Sequence, residues 1–167
     1  HGITRDRNLL HQDHGGWYYE MQMLGYNYRM SDIHAALGIN QLGRATQNLE
    51  KRKAIAKRYD QELADLPLKL PQSVEGHAYQ LYVVETARRL ELYNYLRSQK
   101  IYPQIHYIPI YHQPDYQKLV PKSNAFPNAE AYYQQCLSLP IYPTLSMAQQ
   151  GYVVDHHHQF FSNKNKF

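Results

Sequence analysis

Two polar side chains, Asn27 and Arg29, lie in a short segment whose residue types suit the binding of an anion or a sugar. The segment reads Tyr26-Asn27-Tyr28-Arg29-Met30-Ser31-Asp32. The Asn27 amide offers two N–H donors and a carbonyl acceptor without net charge, and the Arg29 guanidinium can donate two parallel hydrogen bonds to a phosphate or carboxylate. Each also has a structural interpretation, because Asn is common in turns and Arg29 could form an ion pair. The residues alone leave both interpretations open.

A second polar group, Gln104-Ile105-His106-Tyr107, lies near the end of a strand predicted over residues 101–108. Alternation along a strand would place Gln104 and His106 on one face, with Ile105 and Tyr107 on the other. Binding sites often form where strands of an α/β sheet end. A buried histidine bonded to a backbone carbonyl is the structural alternative, and the pattern does not exclude it.

Three consecutive histidines, His156-His157-His158, follow Asp155 on a predicted helix and raise the question of a metal site. Successive helix positions are about 100° apart, so the three rings cannot converge on one ion. Only Asp155 and His158 share a helix face. We therefore expect no metal here.

The composition indicates a folded protein in a reducing compartment. Of the 167 residues, 43% are hydrophobic and 19% are charged, which excludes a disordered chain. The one cysteine, Cys136, cannot form an internal disulfide, and we expect it to be a small buried residue on a helix. The chain shows no secretory signal, so the expected location is the cytoplasm.

The charge pattern does not favour a nucleic-acid or membrane partner. The net charge is +4, and the basic residues are dispersed. The basic run over residues 51–58 alternates with apolar positions on a predicted helix, which is typical of a solvated face. The positive excess would still favour an anionic ligand such as a sugar diphosphate. No run of about eighteen apolar residues is present that could cross a bilayer.

The elements that must position these residues begin with a long helical pattern. Residues 1–24 show neither helix nor strand periodicity. Starting at an N-cap at Ser31 or Asp32, apolar residues then recur at helical spacing as far as Leu63. This pattern predicts one long helix, or two with a bend, ending at Pro67. A helix of that length commonly connects two domains.

Shorter elements follow Pro67. The pattern predicts a strand over residues 77–86, a helix over 88–100 and the strand over 101–108, which together form a β-α-β unit. A helix is predicted over 128–136, and a last one is opened by Ser146 with Gln149 as a capping box. The polar tail over residues 162–167 should fray. The predicted fold is a small α/β domain in which a sheet packs against helices.

The segment around Asn27 resembles a family signature. Residues 25–42 are similar to the pattern Gly-x-Asn-x-Arg-Met/Leu-Ser/Asn-Asp/Glu-x-x-Ala-Ala-x-Gly-x-x-Gln-Leu of the DegT/DnrJ/StrS-type nucleotide-sugar aminotransferases. The His106-Tyr107-Ile108-Pro109 segment resembles the His-Tyr-x-Pro stretch of the same family. This second match is nearest to the branch that makes 4-amino-4,6-dideoxy sugars, which serves the pathway to pseudaminic acid.

The resemblance implies an enzyme dependent on pyridoxal phosphate (PLP) that acts as a homodimer with shared active sites. It implies that Asn27 contacts PLP phosphate or substrate in the partner's site, and that Gln104, Ile105, His106 and Tyr107 contact a UDP-sugar. Arg29 is a further candidate for substrate binding. Glutamate would be the amino donor. The implied fold is the C-terminal part of a type I PLP transferase, with residues 1–30 as the tail of the large domain, 31–66 as a linking helix and 67–167 as the small domain.

Transamination also needs a lysine that forms a Schiff base with PLP, in a desolvated pocket. The lysines of this sequence lie on the long helix, at the end of a short helix, in loops or in the tail, and none has that setting. The resemblance implies that the Schiff-base lysine precedes residue 1, so the chain has no catalytic residue of its own and should be inactive alone. Three alternatives stay open: a sister enzyme for a dTDP- or GDP-linked keto sugar, a non-catalytic regulatory or interaction protein of the same fold, and a stand-alone sugar-binding α/β module.

Overall fold

The computed structural model describes residues 1–12, 14–119 and 126–163, and it divides the chain into two compact units. The first unit comprises residues 1–44 and the second residues 45–167. The three-part division expected from the sequence, with boundaries near residues 30 and 66, stays a prediction about a complete enzyme. Part of the predicted tail, residues 164–167, lies outside the described residues.

The first unit contains a small β-ladder and one helix. Strands β1 (Ile3–Thr4) and β2 (Glu20–Met21) pair antiparallel, and helix α1 spans Asp32–Gly43. The sequence predicted only irregular structure over residues 1–24, which was wrong at this ladder because two-residue strands are too short to show a period. None of the described residues of this unit is buried.

The region predicted as one long helix, or as two with a bend, forms two helices. Helix α1 ends at Gly43, and α2 runs over Ala45–Glu62, before Pro67. Ser31 caps α1, with its Oγ accepting a hydrogen bond from the His34 backbone N–H. Two glycines in α1 weaken its helix propensity near the break. Only α2 contributes to a core, through Ile55, Ala56 and Tyr59.

The sheet of the second unit has β4 at its centre. Strand β3 (Tyr82–Glu85) pairs antiparallel with β4 (Cys136–Leu139). Gln104 forms an isolated antiparallel bridge to Ser138, and Lys69 forms one to Glu85. The strand predicted over residues 101–108 was wrong beyond this bridge: after Gln104, the chain is joined to β4 by the His106 side chain, at the Ser138 Oγ, and not by further backbone pairing. The strand predicted over 77–86 begins only at Tyr82.

Three helices complete the second unit: α3 (Arg89–Ser98), α4 (Pro127–Gln135) and α5 (Met147–Ser162). The capping box of Ser146 and Gln149 is present at the start of α5, as predicted. Full burial of a Leu or Phe side chain stabilises a fold by roughly 1.5–3 kcal/mol, so the helix faces turned inward account for much of the stability. From α3 and α5 the buried side chains include Leu92, Tyr95, Leu96, Val153, Val154, Phe160 and Phe161.

The predicted class, a small α/β domain with its sheet packed against helices, is confirmed for the second unit. Cys136 is fully buried as expected, but it opens β4 instead of ending a helix. Burial raises the pKa of its thiol. Within the described residues, no helix combines the length and the apolar character that a membrane span requires.

Candidate functional site

Two glycines in close contact fix the segment that leads to Asn27. The Gly2 carbonyl accepts hydrogen bonds from the backbone N–H groups of Gln22 (2.8 Å) and Met23 (3.3 Å). A Cβ atom at Gly25 would collide with the Gly2 nitrogen, so only glycine fits this approach. The start of the Asn27 segment is therefore anchored to the β1–β2 ladder.

Asn27 and Arg29 have free polar groups. Both residues are exposed, and neither has a hydrogen-bond or ion-pair partner within the part of the chain that the structure describes. The rings of Tyr26 and Tyr28 stack, with centroids 5.2 Å apart. Since side chains at i and i+2 lie on one side of an extended segment, Asn27 and Arg29 are expected to share the other side.

The structural alternatives for these two residues lack their expected contacts. Asn27 has neither a positive φ nor a hydrogen bond from its side chain to the backbone, the two features that would make it a turn residue. Arg29 faces no carboxylate among the described residues. The donors of both side chains are therefore available to a ligand, and Asn27 lies four positions before the Ser31 helix cap.

In the second unit, Gln104 and His106 are tied to one buried residue, Ser138. The backbone N–H of Gln104 donates to the Ser138 carbonyl (3.1 Å), and the Ser138 N–H donates to the Gln104 carbonyl (2.8 Å). The His106 Nδ1 lies 2.8 Å from the Ser138 Oγ. His106 is thus half-buried and bonded to a side-chain hydroxyl, and not to a backbone carbonyl as its structural alternative assumed.

The side chains of residues 104–107 do not follow the predicted strand alternation. Gln104 is exposed, and so is Tyr107, at 72%. Ile105 packs against the core of the second unit, whereas the His106 ring turns to Ser138. Gln104 and Tyr107 can therefore meet a ligand directly, and His106 can do so through its second ring nitrogen.

The structure describes the two groups of candidate residues in different units. Asn27 and Arg29 lie in residues 1–44, and Gln104 to Tyr107 lie in residues 45–167. Ser138 was not predicted from the sequence. The signal that could have found it is a single hydroxyl between Leu137 and Leu139, since a polar group in a buried strand needs a partner.

The three adjacent histidines have three separate partners. The His156 Nδ1 lies 3.0 Å from the Tyr95 hydroxyl, and the His158 Nε2 lies 2.7 Å from the Glu62 carbonyl oxygen. The His157 Nδ1 donates to the Val153 carbonyl at 2.7 Å. Within the described ranges, no group of His, Cys, Asp and Glu is arranged to hold a metal ion.

None of the described lysines is buried. Lys53 is half-buried beside Glu50, with Nζ 2.9 Å from the carboxylate, and Lys69 pairs with Glu85 at 2.8 Å. The other described lysines are exposed: Lys51, Lys57, Lys100 and Lys118. Lys122, Lys164 and Lys166 lie outside the described residues. The described residues therefore lack a desolvated amine of the kind that anchors PLP.

A groove of about 670 Å³ opens on the second unit, between the residues after α3 and the start of α5. Its wall is mostly apolar and includes Tyr102, Tyr142 and Tyr152, together with Lys100. None of the residues predicted to form a site lines this groove.

A family model for the DegT/DnrJ/EryC1/StrS aminotransferases matches residues 1–157. The chain is 35% identical to the spore coat polysaccharide biosynthesis protein SpsC of Bacillus subtilis, over 87% of this chain and 40% of that protein. It is 34% identical to the UDP-4-amino-4,6-dideoxy-N-acetyl-beta-L-altrosamine transaminase of Campylobacter jejuni, over 93% and 41%. It is 30% identical to the GDP-perosamine synthase of Vibrio cholerae, over 76% and 36%. The chain therefore spans about two fifths of the length of these curated relatives.

Solved structures also match the fold. PseC of Helicobacter pylori, an aminotransferase involved in the biosynthesis of pseudoaminic acid, matches 98% of this chain and 44% of its own, with a TM-score of 0.79 and 26% identity. The PLP-form of Spr1654, a putative sugar aminotransferase of Streptococcus pneumoniae, matches 98% and 41%, with a TM-score of 0.80 and 25% identity. A PMP-form of Spr1654 has been solved as well.

Proposed function

Because the chain belongs to the DegT/DnrJ/EryC1/StrS aminotransferase family, we propose that it is the C-terminal part of a PLP-dependent nucleotide-sugar aminotransferase. The reaction would transfer an amino group from glutamate to the C4 keto group of a UDP-linked 4-keto-6-deoxy-hexosamine. The family match over residues 1–157 carries the reaction class. The 34% identity to the altrosamine transaminase, together with the likeness to PseC, supports the UDP-sugar and the pathway to pseudaminic acid.

Asn27 and Arg29 would contact the cofactor or substrate bound by the second subunit of a homodimer. The Asn27 amide can donate to a phosphate oxygen without adding charge, and Arg29 can bind a phosphate or carboxylate with two hydrogen bonds. The exposure of both side chains and their lack of partners among the described residues support this role.

The residues Gln104, Ile105, His106 and Tyr107 would form the contact with the nucleotide sugar. Gln104 and Tyr107 offer exposed polar groups, and the His106 ring is held through Nδ1. Ile105 would set the position of this segment because it packs against the core.

The residues present fit PLP in part. When bound, the cofactor carries the amino group between donor and acceptor. Asn27 and Arg29 supply unpaired donors of the kind that a phosphate requires, whereas no buried lysine is found among the described residues. The lysine that anchors the cofactor would thus belong to the remainder of a complete enzyme, and the present chain should be inactive alone.

The surface of the first unit supports a place within a larger assembly. Several of its large apolar side chains are mostly exposed, among them Trp17 (76%), Leu24 (93%) and Leu42 (76%). None of the described residues of this unit is buried, so these side chains have no core of their own unit to pack into. We propose that the rest of the large domain and a second subunit cover these side chains in the complete enzyme.

A sister enzyme acting on a GDP-linked keto sugar is the second candidate. The 30% identity to a GDP-perosamine synthase favours it, and the quoted motifs do not distinguish the two nucleotides. A dTDP-linked sugar belongs to the same alternative.

The direct test is an assay of the complete protein. The reading frame upstream of His1 should encode a lysine flanked by Ser-Phe-His-like and Thr-like residues, and the complete protein with PLP and glutamate should aminate a UDP-4-keto-6-deoxy-hexosamine. Faster turnover of a GDP- or dTDP-linked keto sugar would favour the sister enzyme. Absence of the lysine and of turnover with any of the three sugars would favour a non-catalytic regulatory protein.

The chain by itself should bind UDP-sugar only weakly. Isothermal titration of the 167-residue chain with a UDP-hexosamine tests this expectation. Micromolar binding without PLP or a partner domain would contradict the shared-site proposal, and would instead favour a stand-alone sugar-binding module.

A further inference from the structure

Ser138 is a polar residue inside a strand that is otherwise apolar and buried. All four residues of β4 are buried, and Ser138 is 5% exposed. A hydroxyl in such a place costs stability unless it forms a hydrogen bond. Its side-chain partner is the His106 Nδ1, 2.8 Å from the Oγ. The hydroxyl therefore joins the centre of the sheet to the segment of residues 104–107.

Ser138 holds this segment at three points. Two backbone hydrogen bonds join it to Gln104, and its side chain holds His106. Ser138 is itself fixed by its pairing with Val83 of β3. The ladder on this side of β4 does not extend past Gln104, so the bond from the hydroxyl is the next attachment along the chain.

The hydrogen bond at Nδ1 leaves Nε2 as the ring nitrogen of His106 that can contact a ligand. An imidazole has two ring nitrogens, and a partner at one of them fixes the ring orientation. No hydrogen bond to the His106 Nε2 is found among the described residues, so this atom can meet a hydroxyl or phosphate oxygen of a ligand.

We propose that Ser138 is a positioning residue for substrate binding: its hydroxyl holds the His106 ring through Nδ1, so that Nε2 faces the nucleotide sugar. This inference rests on the proposed function, in which residues 104–107 contact that substrate. It assigns the positioning of His106 to Ser138, which lies outside residues 104–107.

The test compares Ser138→Ala, which removes the hydroxyl, with Ser138→Thr, which keeps it. In the 167-residue chain, the ring ¹⁵N chemical shifts of His106 should agree between the parent chain and Ser138→Thr, and should move in Ser138→Ala. In the complete enzyme, Ser138→Ala should raise the KM for the nucleotide sugar about fivefold, with kcat changed less than twofold. Ser138→Thr should restore most of the KM.

A double variant separates positioning from simple packing. If Ser138 acts through His106, Ser138→Ala should add nothing to the KM of a His106→Gln enzyme. Ser98→Ala is the matched control, because it removes another serine hydrogen bond of the same unit, from Oγ to the Tyr95 carbonyl (2.7 Å). Ser138→Cys, which nearly conserves the volume, replaces Ser138→Ala if that variant does not fold.

Two results would overturn the proposal, and a third would refute the proposed function on which it rests. Unchanged His106 shifts in Ser138→Ala would mean that the bond does not set the ring. Changed shifts with an unchanged KM, in an enzyme that turns over, would confine Ser138 to the fold. An inactive parent enzyme would refute the proposed function itself, and the NMR result would then still decide whether Ser138 orients His106.

Discussion

The surroundings of Asn27 leave its side-chain amide available to a ligand. Its amide has no partner among the described residues, and its backbone is not left-handed. We therefore expect Asn27→Ala in the complete enzyme to leave the fold intact and to weaken the binding of PLP or substrate. A lost hydrogen bond to a charged group is worth about 1.5–3 kcal/mol, or roughly ten- to a hundredfold in affinity. Cofactor titration by absorbance measures the effect.

Asn94→Ala is the matched control for this prediction, because Asn94 is an exposed asparagine on α3 in the other unit. Its cofactor affinity should equal that of the parent enzyme. Equal affinity and turnover in Asn27→Ala and Asn94→Ala would make Asn27 an ordinary loop residue.

His157 predicts a pH dependence of stability. The residue is fully buried, its Nδ1–H donates to the Val153 carbonyl, and its Nε2 has no partner within the described ranges. Burial lowers the pKa of His157 from 6.5 to about 4. Above pH 6.5 the imidazole is neutral in both states. As the pH falls from 6.5 toward 4, the unfolded state binds a proton that the folded state does not, so the free energy of unfolding should fall by up to about 1.4 kcal/mol per pH unit.

Urea unfolding at several pH values, on the parent chain and on His157→Gln, isolates this contribution. Between pH 6.5 and 4, the free energy of unfolding of His157→Gln should therefore fall less steeply with pH than that of the parent chain. Asn94→Ala, at an exposed residue that does not titrate, should keep the parent slope. Parallel slopes in the parent chain and His157→Gln would refute the assignment.

At the residue scale, the sequence located the candidate contacts but not their partners. The spacing of Asn27 and Arg29 before a helix cap was visible because all the residues involved are adjacent in the chain. The bond between His106 and Ser138 joins positions 32 residues apart, and no local pattern encodes it. Helix geometry argued against a metal at the three histidines, but it could not assign their three separate partners.

At the element scale, the segment before Asn27 depends on the contact between Gly2 and Gly25. Gly25→Ala would place a Cβ against the Gly2 nitrogen, so residues 22–29 should shift. Backbone amide chemical shifts of the chain measure the change, and cofactor affinity should fall in the complete enzyme. Gly38→Ala is the matched control: apart from its chain neighbours and the backbone of α1 itself, no atom lies within 4 Å of its added Cβ, and it should stabilise α1 by about 0.5–1 kcal/mol. Unchanged shifts in Gly25→Ala would contradict the anchoring role.

The capping box of α5 gives a second prediction for an element. The Ser146 Oγ accepts from the Gln149 N–H (3.2 Å), and the Gln149 side chain accepts from the Ser146 N–H (2.9 Å). Ser146→Ala should lower the free energy of unfolding by about 1 kcal/mol. Urea unfolding tests this, with Ser73→Ala at an exposed loop serine as control. A loss no larger than in the control would mean that the cap contributes nothing.

Helices were easier to predict than strands, for physical reasons. The caps at Ser31 and Ser146 and the stop before Pro67 are local signals, and the structure has them. The strand predicted over residues 101–108 is only a bridge at Gln104, since the next contact with β4 is made by the His106 side chain and not by the backbone. The sequence of β4 shows no alternation of apolar and polar residues, because both faces of the strand are buried.

At the scale of the whole molecule, the two units differ in how they bury apolar surface. The second unit has a core from α2, α3, α5 and the sheet, whereas none of the described residues of the first unit is buried. The first unit therefore depends on surfaces that it does not itself supply. Sequence patterns predict which residues are apolar, but they cannot state what will cover them.

Subunit complementation in the complete enzyme tests the shared site most directly. One subunit would carry Asn27→Ala, and the other would lack the lysine that anchors the cofactor. If Asn27 serves the partner's site, mixed dimers regain one intact site, and random mixing should recover about a quarter of the parent activity at limiting cofactor. Activity no greater than the sum of the activities of the two variants measured separately would contradict the proposal that this chain completes the site of a second subunit.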